Sequence, residues 1–103
     1  MDRKQIAIDF AKNLDHSEIE KILLFGSVAR GDDNKDSDID ILIIIKNIDD
    51  KLKIRDDIYS KVWDVLIRTG ESISIKIKTI EHYNKYREFS FFSNVNNDGV
   101  IIG

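Results

Sequence analysis

The sequence predicts an α/β (α+β) domain with a small mixed β-sheet covered by helices. Apolar residues at helical spacing alternate along the chain with short runs rich in isoleucine, which is the pattern of this class. A length of 103 residues suits one modest core, and 42% hydrophobic residues favour a folded globule over a disordered chain. We therefore expect a single domain over residues 1–103, with elements in the order α-β-α-β-α-β-α-β.

Each predicted element of the first half is recognised by its apolar spacing. These elements are a helix over 2–14, a strand over 19–25, a helical turn over 27–30 and a strand over 38–45. Asp2 is the expected N-cap of the first helix, and Gly26 ends the first strand. The loop 31–37 is polar. Because the second strand becomes continuously apolar after its start, we expect it to be covered on both faces.

The second half begins with a long amphipathic helix over residues 50–68, for which Gly70 is the expected left-handed C-cap. The strictly alternating segment 72–78 predicts a strand with one wet face. Thr79 is placed to cap a further helix. The remaining predictions are that helix over 80–87, an aromatic cluster of Phe89, Phe91 and Phe92, and a short final strand over 100–102.

Composition excludes several classes of function. The chain has no cysteine, so disulfides, thiolate metal sites and a cysteine nucleophile are excluded. The net charge of −3 does not favour direct binding of nucleic acid. The charged start of the chain lacks a signal-peptide pattern, and an apolar run of five residues is far too short for a membrane span. We expect a cytoplasmic protein that does not bind membranes.

Acidic residues are concentrated in one segment, residues 32–40, which holds five aspartates and one lysine and so carries a net charge of −4. Asp36, Asp38 and Asp40 are two residues apart and share one face of an extended chain. Like charges at the start of an apolar strand are costly unless a cation binds them. Two carboxylates with substrate phosphates are the usual way in which proteins hold Mg²⁺, so we expect a metal site. The alternative, an acidic loop that only faces water, stays open.

Phosphate-binding groups are expected just upstream, where the first strand runs into Gly26 and Ser27. A glycine lets a phosphate approach the backbone, the first turn of a helix offers N–H donors, and Ser27 adds a hydroxyl. Arg30 has the fork-shaped cation that suits phosphate, although it could instead hold the loop through Asp33 or Asp36. Phosphoryl or nucleotidyl transfer requires groups that donate hydrogen bonds to phosphate, placed beside carboxylates that bind a metal ion.

These residues form a recognisable motif. Gly26 and Ser27 are followed, after ten residues, by Asp38-Ile39-Asp40, and the full string GSVARGDDNKDSDIDILI includes a matching Ser37. The string resembles the minimal nucleotidyltransferases of prokaryotes, which belong to the DNA polymerase β nucleotidyltransferase superfamily. The resemblance is clear over residues 20–45 and weaker at the end of the chain.

The resemblance implies a mixed sheet with helices on one side. It implies transfer of a nucleoside monophosphate, usually AMP from ATP, to a hydroxyl group with release of pyrophosphate. Asp38 and Asp40 would be the catalytic residues that bind Mg²⁺. The residues that would hold the nucleoside triphosphate are Gly26, Ser27, Arg30 and Ser37. The resemblance further implies a protein partner, a HEPN-type toxin whose hydroxyl group is modified.

One feature departs from the family pattern, in which a third carboxylate lies on a later strand. The wet face of the segment 72–78 offers Ser72, Ser74, Lys76 and Lys78 instead, and Glu71 and Glu81 only flank it. Two alternatives therefore accompany the enzyme hypothesis. The chain could be a weak or inactive nucleotide-binding module that masks its partner, or it could modify a small molecule such as an aminoglycoside.

Overall fold

The computed structural model of the chain describes residues 2–87 and 89–103, and it confirms the mixed α/β class. Its elements follow the predicted order, with one additional helix near the end. The helices and strands are α1 (Arg3–Lys12), β1 (Ile19–Phe25), α2 (Gly26–Arg30), β2 (Ile39–Ile45), α3 (Asp50–Thr69), β3 (Ile73–Thr79), α4 (Ile80–Tyr86), α5 (Ser90–Asp98) and β4 (Val100–Ile101).

The residues predicted to cap the first or last turn of a helix do so. The Asp2 side chain accepts a hydrogen bond from the Lys4 N–H at 2.9 Å and so caps α1. The Thr79 hydroxyl accepts from the His82 N–H at 3.1 Å and caps α4 in the same way. Gly70 ends α3 in the left-handed region, with φ of 76°. These ends follow from local chemistry, which explains why short sequence signals locate them.

The four strands form one sheet in the order β3-β2-β1-β4. β2 pairs antiparallel with β1 and parallel with β3, so it is a central strand with a neighbour on each edge. In this register Asp40 lies between Phe25 on β1 and Ser74 on β3. The end of β1 and the starts of β2 and β3 therefore meet at one edge of the domain.

Helices cover both faces of the sheet, as the continuously apolar second strand predicts, so the one-sided arrangement that the resemblance implies is wrong for this chain. On one face, α1 and α3 pack on the odd-numbered residues of β2, from Ile39 to Ile45. On the other face, Tyr83 of α4 and Phe92 of α5 pack on Leu42 and Ile44. Side chains alternate along a strand, and β2 is apolar on both sides, so both of its faces must be covered.

The long helix α3 runs over 20 residues and lies against the sheet through one stripe. Ile54, Ile58 and Val65 are buried on that stripe, and the rest of the surface carries many charged residues. This arrangement is that of an amphipathic helix on a sheet. In the described part of the chain, no helix combines the length and the apolar character that crossing a bilayer requires.

Helix α5 is the element that differs most from the sequence prediction, which had only an aromatic cluster there. Phe92 and Val95 are three residues apart on this helix, and both are buried in the cluster that contains Leu23 and Leu42. Phe89 precedes the helix and is 63% exposed, so it does not pack as predicted. The side chain of Phe91 lies outside the described part of the structure. Tertiary packing, rather than a strong local pattern, supports this helix.

The burial of β2 predicts its sensitivity to truncation. Ile43→Ala removes a fully buried side chain from the central strand and leaves a cavity, so we expect the free energy of unfolding to fall by about 2–5 kcal/mol. Urea unfolding followed by circular dichroism measures this change. Ile67→Ala, at an exposed position on α3, is the matched control and should change stability by less than about 0.5 kcal/mol. Equal losses in the two variants would contradict this account of the core.

Candidate active site

The two central aspartates lie where β2 begins. Asp38 is exposed just before the strand, and Asp40 is half-buried as the second residue of the strand. The paired strands place Phe25 on one side of Asp40 and Ser74 on the other. The charged start of an otherwise apolar strand thus emerges from the core at the edge of the sheet, where solvent and ligands can reach it.

Gly26 lies directly against Asp40, which joins the two halves of the predicted site. Gly26 follows β1, begins α2 and has a φ of 75°, in the region that side chains other than glycine rarely adopt. A Cβ atom placed on Gly26 would overlap the carboxylate oxygen Oδ2 of Asp40. The glycine therefore lets the Asp40 carboxylate at the start of β2 lie directly against the backbone at the end of β1.

The electrostatic surroundings of Asp40 disfavour its negative charge when no cation is bound. Burial raises the pKa of its carboxyl above the usual value of 3.8, and the neighbouring charge of Asp38 raises it further. The positive charges of Lys76 and Arg30 act in the opposite direction. Ionisation of Asp40 therefore costs more free energy in the folded protein than in water, and a bound cation would offset this cost.

Arg30 is held in ion pairs by residues other than those expected. Its guanidinium group donates to Asp32 at 3.2 Å and to Asp98, at the end of α5, at 3.4 Å. Asp33 and Asp36, the partners considered from the sequence, are not the ones it contacts. Since its charge still lowers the pKa of Asp40, Arg30 lies near the aspartate pair, and its contact with phosphate stays a prediction.

Ser27 and Ser37 both lie in the segment between β1 and β2. Ser27 is in the first turn of α2, and its carbonyl accepts from the N–H groups of Gly31 and Asp32 at 2.9 and 3.0 Å. The Ser37 hydroxyl accepts from the Asn34 N–H at 3.0 Å, which closes the loop before Asp38. These bonds shape the loop that presents the aspartates. Binding of a triphosphate by either serine stays a prediction.

Arg3 is a residue of this site that the sequence analysis missed. Its side chain, only 13% exposed, reaches from α1 to Asp33 at 3.0 Å and to Glu71 at 2.8 Å. It also donates to the carbonyl groups of Asn34 and Lys35. Arg3 therefore attaches the acidic loop and the start of β3 to the first helix. Its partners lie 30 to 68 residues away, so no local signal could have identified it.

The structure shows which groups lie near the start of β3, where the family pattern would have a third carboxylate. Ser74 is opposite Asp40 in the parallel pair of β2 and β3. Glu71 lies at the same edge of the sheet, but it is bonded to Arg3. Glu81 lies beside Lys46 in a surface concavity at the other end of β2. Within the described residues, no group of three or more carboxylate or histidine side chains is arranged to hold a metal ion.

The residues that are present nevertheless fit one divalent cation completed by phosphate oxygens. Two carboxylates two residues apart at the start of β2, one of them against the backbone of Gly26, provide part of an oxygen coordination sphere. Their mutual repulsion favours a cation between them. His16, which could have been a ligand, is bonded to Asp57 at 2.6 Å.

Comparison with known proteins shows the protein family to which the chain belongs. The chain belongs to the family described as Polymerase beta, Nucleotidyltransferase, which it matches over residues 5–102. A similar protein from Methanocaldococcus jannaschii is named "Putative protein adenylyltransferase MJ0604". It is 36% identical over 95 residues, which is 92% of this chain and 89% of that protein. The chain is therefore a nucleotidyltransferase, and so a transferase, as its sequence motif predicts.

Two solved structures share the fold. One, a toxin–antitoxin crystal structure with AMP-PNP, matches with a TM-score of 0.60 at 17% identity over all of this chain and 73% of that chain. The other, a variant of the toxin–antitoxin pair MntA–HpeT, matches with a TM-score of 0.58 at 14% identity and the same coverage. At these identities the likeness establishes the nucleotidyltransferase fold alone.

The raised pKa of Asp40 predicts a pH-dependent effect of Asp40→Asn on stability. Above its raised pKa the native wild-type protein carries an unfavourable charge, which asparagine lacks, so the variant should have the higher Tm at pH 7 in EDTA. The difference should shrink as the pH falls through the raised pKa and vanish below 3.8, where aspartate is protonated in both states. Scanning calorimetry between pH 3 and 7 tests this. A lower Tm for Asp40→Asn at pH 7 would contradict it.

The contact between Gly26 and Asp40 predicts a selective loss of activity in Gly26→Ala. The new Cβ displaces the Asp40 carboxylate, and a misplacement of about 1 Å can reduce the rate roughly 10²-fold. Gly70→Ala is the matched control, because Gly70 has a φ of 76° but open space around it. Both variants carry a similar backbone strain of about 1–2 kcal/mol, measurable by urea unfolding. Only Gly26→Ala should lose transferase activity, and equal activity in the two variants would contradict the assignment.

Proposed function

We propose that this nucleotidyltransferase transfers AMP from ATP to a hydroxyl group on a protein partner, a HEPN-type toxin, with Mg²⁺ bound by Asp38 and Asp40. The observation that carries the proposal is the contact between Gly26 and Asp40. It places a carboxylate that favours a cation directly beside Gly26, where the backbone leading into α2 carries no side chain and a phosphate would be able to approach its N–H groups. A nucleoside triphosphate with its metal ion has both of the groups that such a site accepts.

The similar proteins support the finer parts of the proposal. The name of the Methanocaldococcus relative refers to a protein adenylyltransferase. One structural neighbour is a toxin–antitoxin complex that contains an ATP analogue. The other is a toxin–antitoxin variant in which two aspartates, two residues apart, are replaced by glutamate. The same spacing separates Asp38 from Asp40 here. These similarities favour adenine as the base and a toxin as the acceptor.

The proposed reaction balances without a further reactant. The acceptor hydroxyl oxygen bonds to the α-phosphorus of ATP, the bond from that phosphorus to the bridging oxygen breaks, and pyrophosphate leaves. The hydroxyl proton passes to solvent. When bound, Mg²⁺ would neutralise charge on the phosphate groups. The chain's own residues would position the nucleotide. Gly26 and Ser27 would lie beside its phosphates, Asp38 and Asp40 would hold its cation, and Arg30 would add positive charge nearby.

The surface of α3 supports a protein acceptor. Leu52, Trp63 and Ile67 are 77%, 63% and 68% exposed and lie on the side of the helix that faces away from the sheet. Single exposed apolar residues are ordinary, but several on one helix face are typical of a contact with another protein. The exposure of Trp63 on this face supports a role in contacting the protein partner.

Labelled ATP tests the proposed reaction directly. With [α-³²P]ATP, Mg²⁺ and the product of the adjacent gene as partner, we expect label on the partner and none when the label is in the γ-phosphate. Asp38→Asn should reduce transfer roughly 10²–10³-fold, because it removes a charge that positions the reacting phosphate. The matched control is Asp36→Asn, an exposed aspartate two residues earlier, which should retain the wild-type rate. EDTA should abolish transfer.

The alternatives give different results in the same experiment. Label on an aminoglycoside, with none on the partner, would show the small-molecule activity. Full neutralisation of the partner by Asp38→Asn, without any transfer, would show that the chain masks its partner. Equal transfer by wild type and Asp38→Asn would contradict the assigned role of this aspartate.

A further inference from the structure

The face of the sheet that carries Asp40 has few groups that could bind a metal ion. In the row of paired residues through Asp40, the neighbours are Phe25 on β1 and Ser74 on β3. The next row on the same face pairs Leu42 with Lys76. Beside Asp40, therefore, β3 offers a neutral hydroxyl and then an ammonium group, which repels cations.

Four other described carboxylates near this edge are engaged by arginines. Asp32 and Asp98 both bind Arg30. Asp33 and Glu71 both bind Arg3, at 3.0 and 2.8 Å. Recruiting any of them as a metal ligand would break an ion pair with its arginine. Among the described acidic residues of the segment 32–40, no ion pair engages Asp36, Asp38 or Asp40, and of these three Asp40 is the one on β2.

We propose that Ser74 limits this site to one divalent cation for each bound nucleotide, an inference that rests on the proposed function. Two cations in such a site lie about 3.5–4 Å apart, and their mutual repulsion must be offset by carboxylates that both ions contact. The triphosphate carries its own negative charge and, with Asp38 and Asp40, can hold one ion, but a second ion needs a further carboxylate of the chain as a ligand. Lys76 adds a positive charge where the second ion would need a negative one. A carboxylate at position 74 would supply the missing ligand, opposite Asp40.

The number of bound ions can be measured without reference to activity. Mn²⁺ replaces Mg²⁺ as a paramagnetic probe, and α,β-methylene-ATP replaces ATP, because its P–C bond cannot be cleaved. For the wild-type chain we expect one Mn²⁺ per nucleotide complex and an electron paramagnetic resonance spectrum without coupling between ions. For Ser74→Asp we expect two Mn²⁺ per complex and a coupled spectrum. Ser74→Asn, which has a side chain of the same size without charge, is the matched control and should bind one.

The possible outcomes distinguish a failure of this inference from a failure of the proposed function. Two coupled Mn²⁺ ions on the wild-type chain would overturn the inference and leave the proposed function intact. One ion on wild type and still one on a folded Ser74→Asp chain would overturn the role given to Ser74. No binding of Mn²⁺ or of the analogue to the wild-type chain would overturn the proposed function, and the inference with it. The wild-type measurement is decisive even if Ser74→Asp does not fold.

Discussion

The complete burial of β2 is the constraint on which the rest of the structure depends. From Ile41 to Ile45 no side chain of this strand is exposed, so both of its faces must be covered and both of its edges paired. The two helix layers and the flanking strands β1 and β3 meet these requirements. Charge is tolerated only where the strand emerges from the core. That restriction places Asp38 and Asp40 at the edge of the sheet, beside the end of β1.

The acidic segment before β2 is held by arginines from distant parts of the chain. Arg3 binds Asp33 and Glu71, and Arg30 binds Asp32 and Asp98. These pairs offset much of the negative charge of the loop. Among the described residues, no ion pair engages Asp38 or Asp40. Burial of Asp40, and then the neighbouring charge of Asp38, raise the pKa of its carboxyl. The proposed cation site rests on this uncompensated charge.

Much of the fold and the centre of the site could be predicted from the sequence, because their signals are local. β1 has the predicted bounds, and Asp2, Gly70 and Thr79 end their helices as expected, since capping depends on neighbouring residues. The aspartate motif and the glycine before it identify the family, which the comparison confirms. The roles of the individual site residues stay predictions.

Other features could not be predicted because they depend on contacts between distant residues. Helix α5 exists because Phe92 and Val95 pack on the sheet, and its own sequence, rich in serine and asparagine, has only weak helix propensity. The pairing of Arg30 with Asp98 requires α5 to lie beside α2. That both faces of β2 are covered could be predicted from its apolar sequence, but not that α5 supplies part of the cover.

The sequence by itself determined the elements other than α5, their order, the class of enzyme and the spacing of Asp38 and Asp40. Periodicity, capping and motif spacing are properties of neighbouring residues, so they can be read along the chain. Only the tertiary structure decided which residues surround the aspartates: Gly26 against Asp40, Ser74 opposite it, and Arg3 on the acidic loop. Strand register and long-range ion pairs determine these neighbours, because they bring together residues that lie far apart in the sequence.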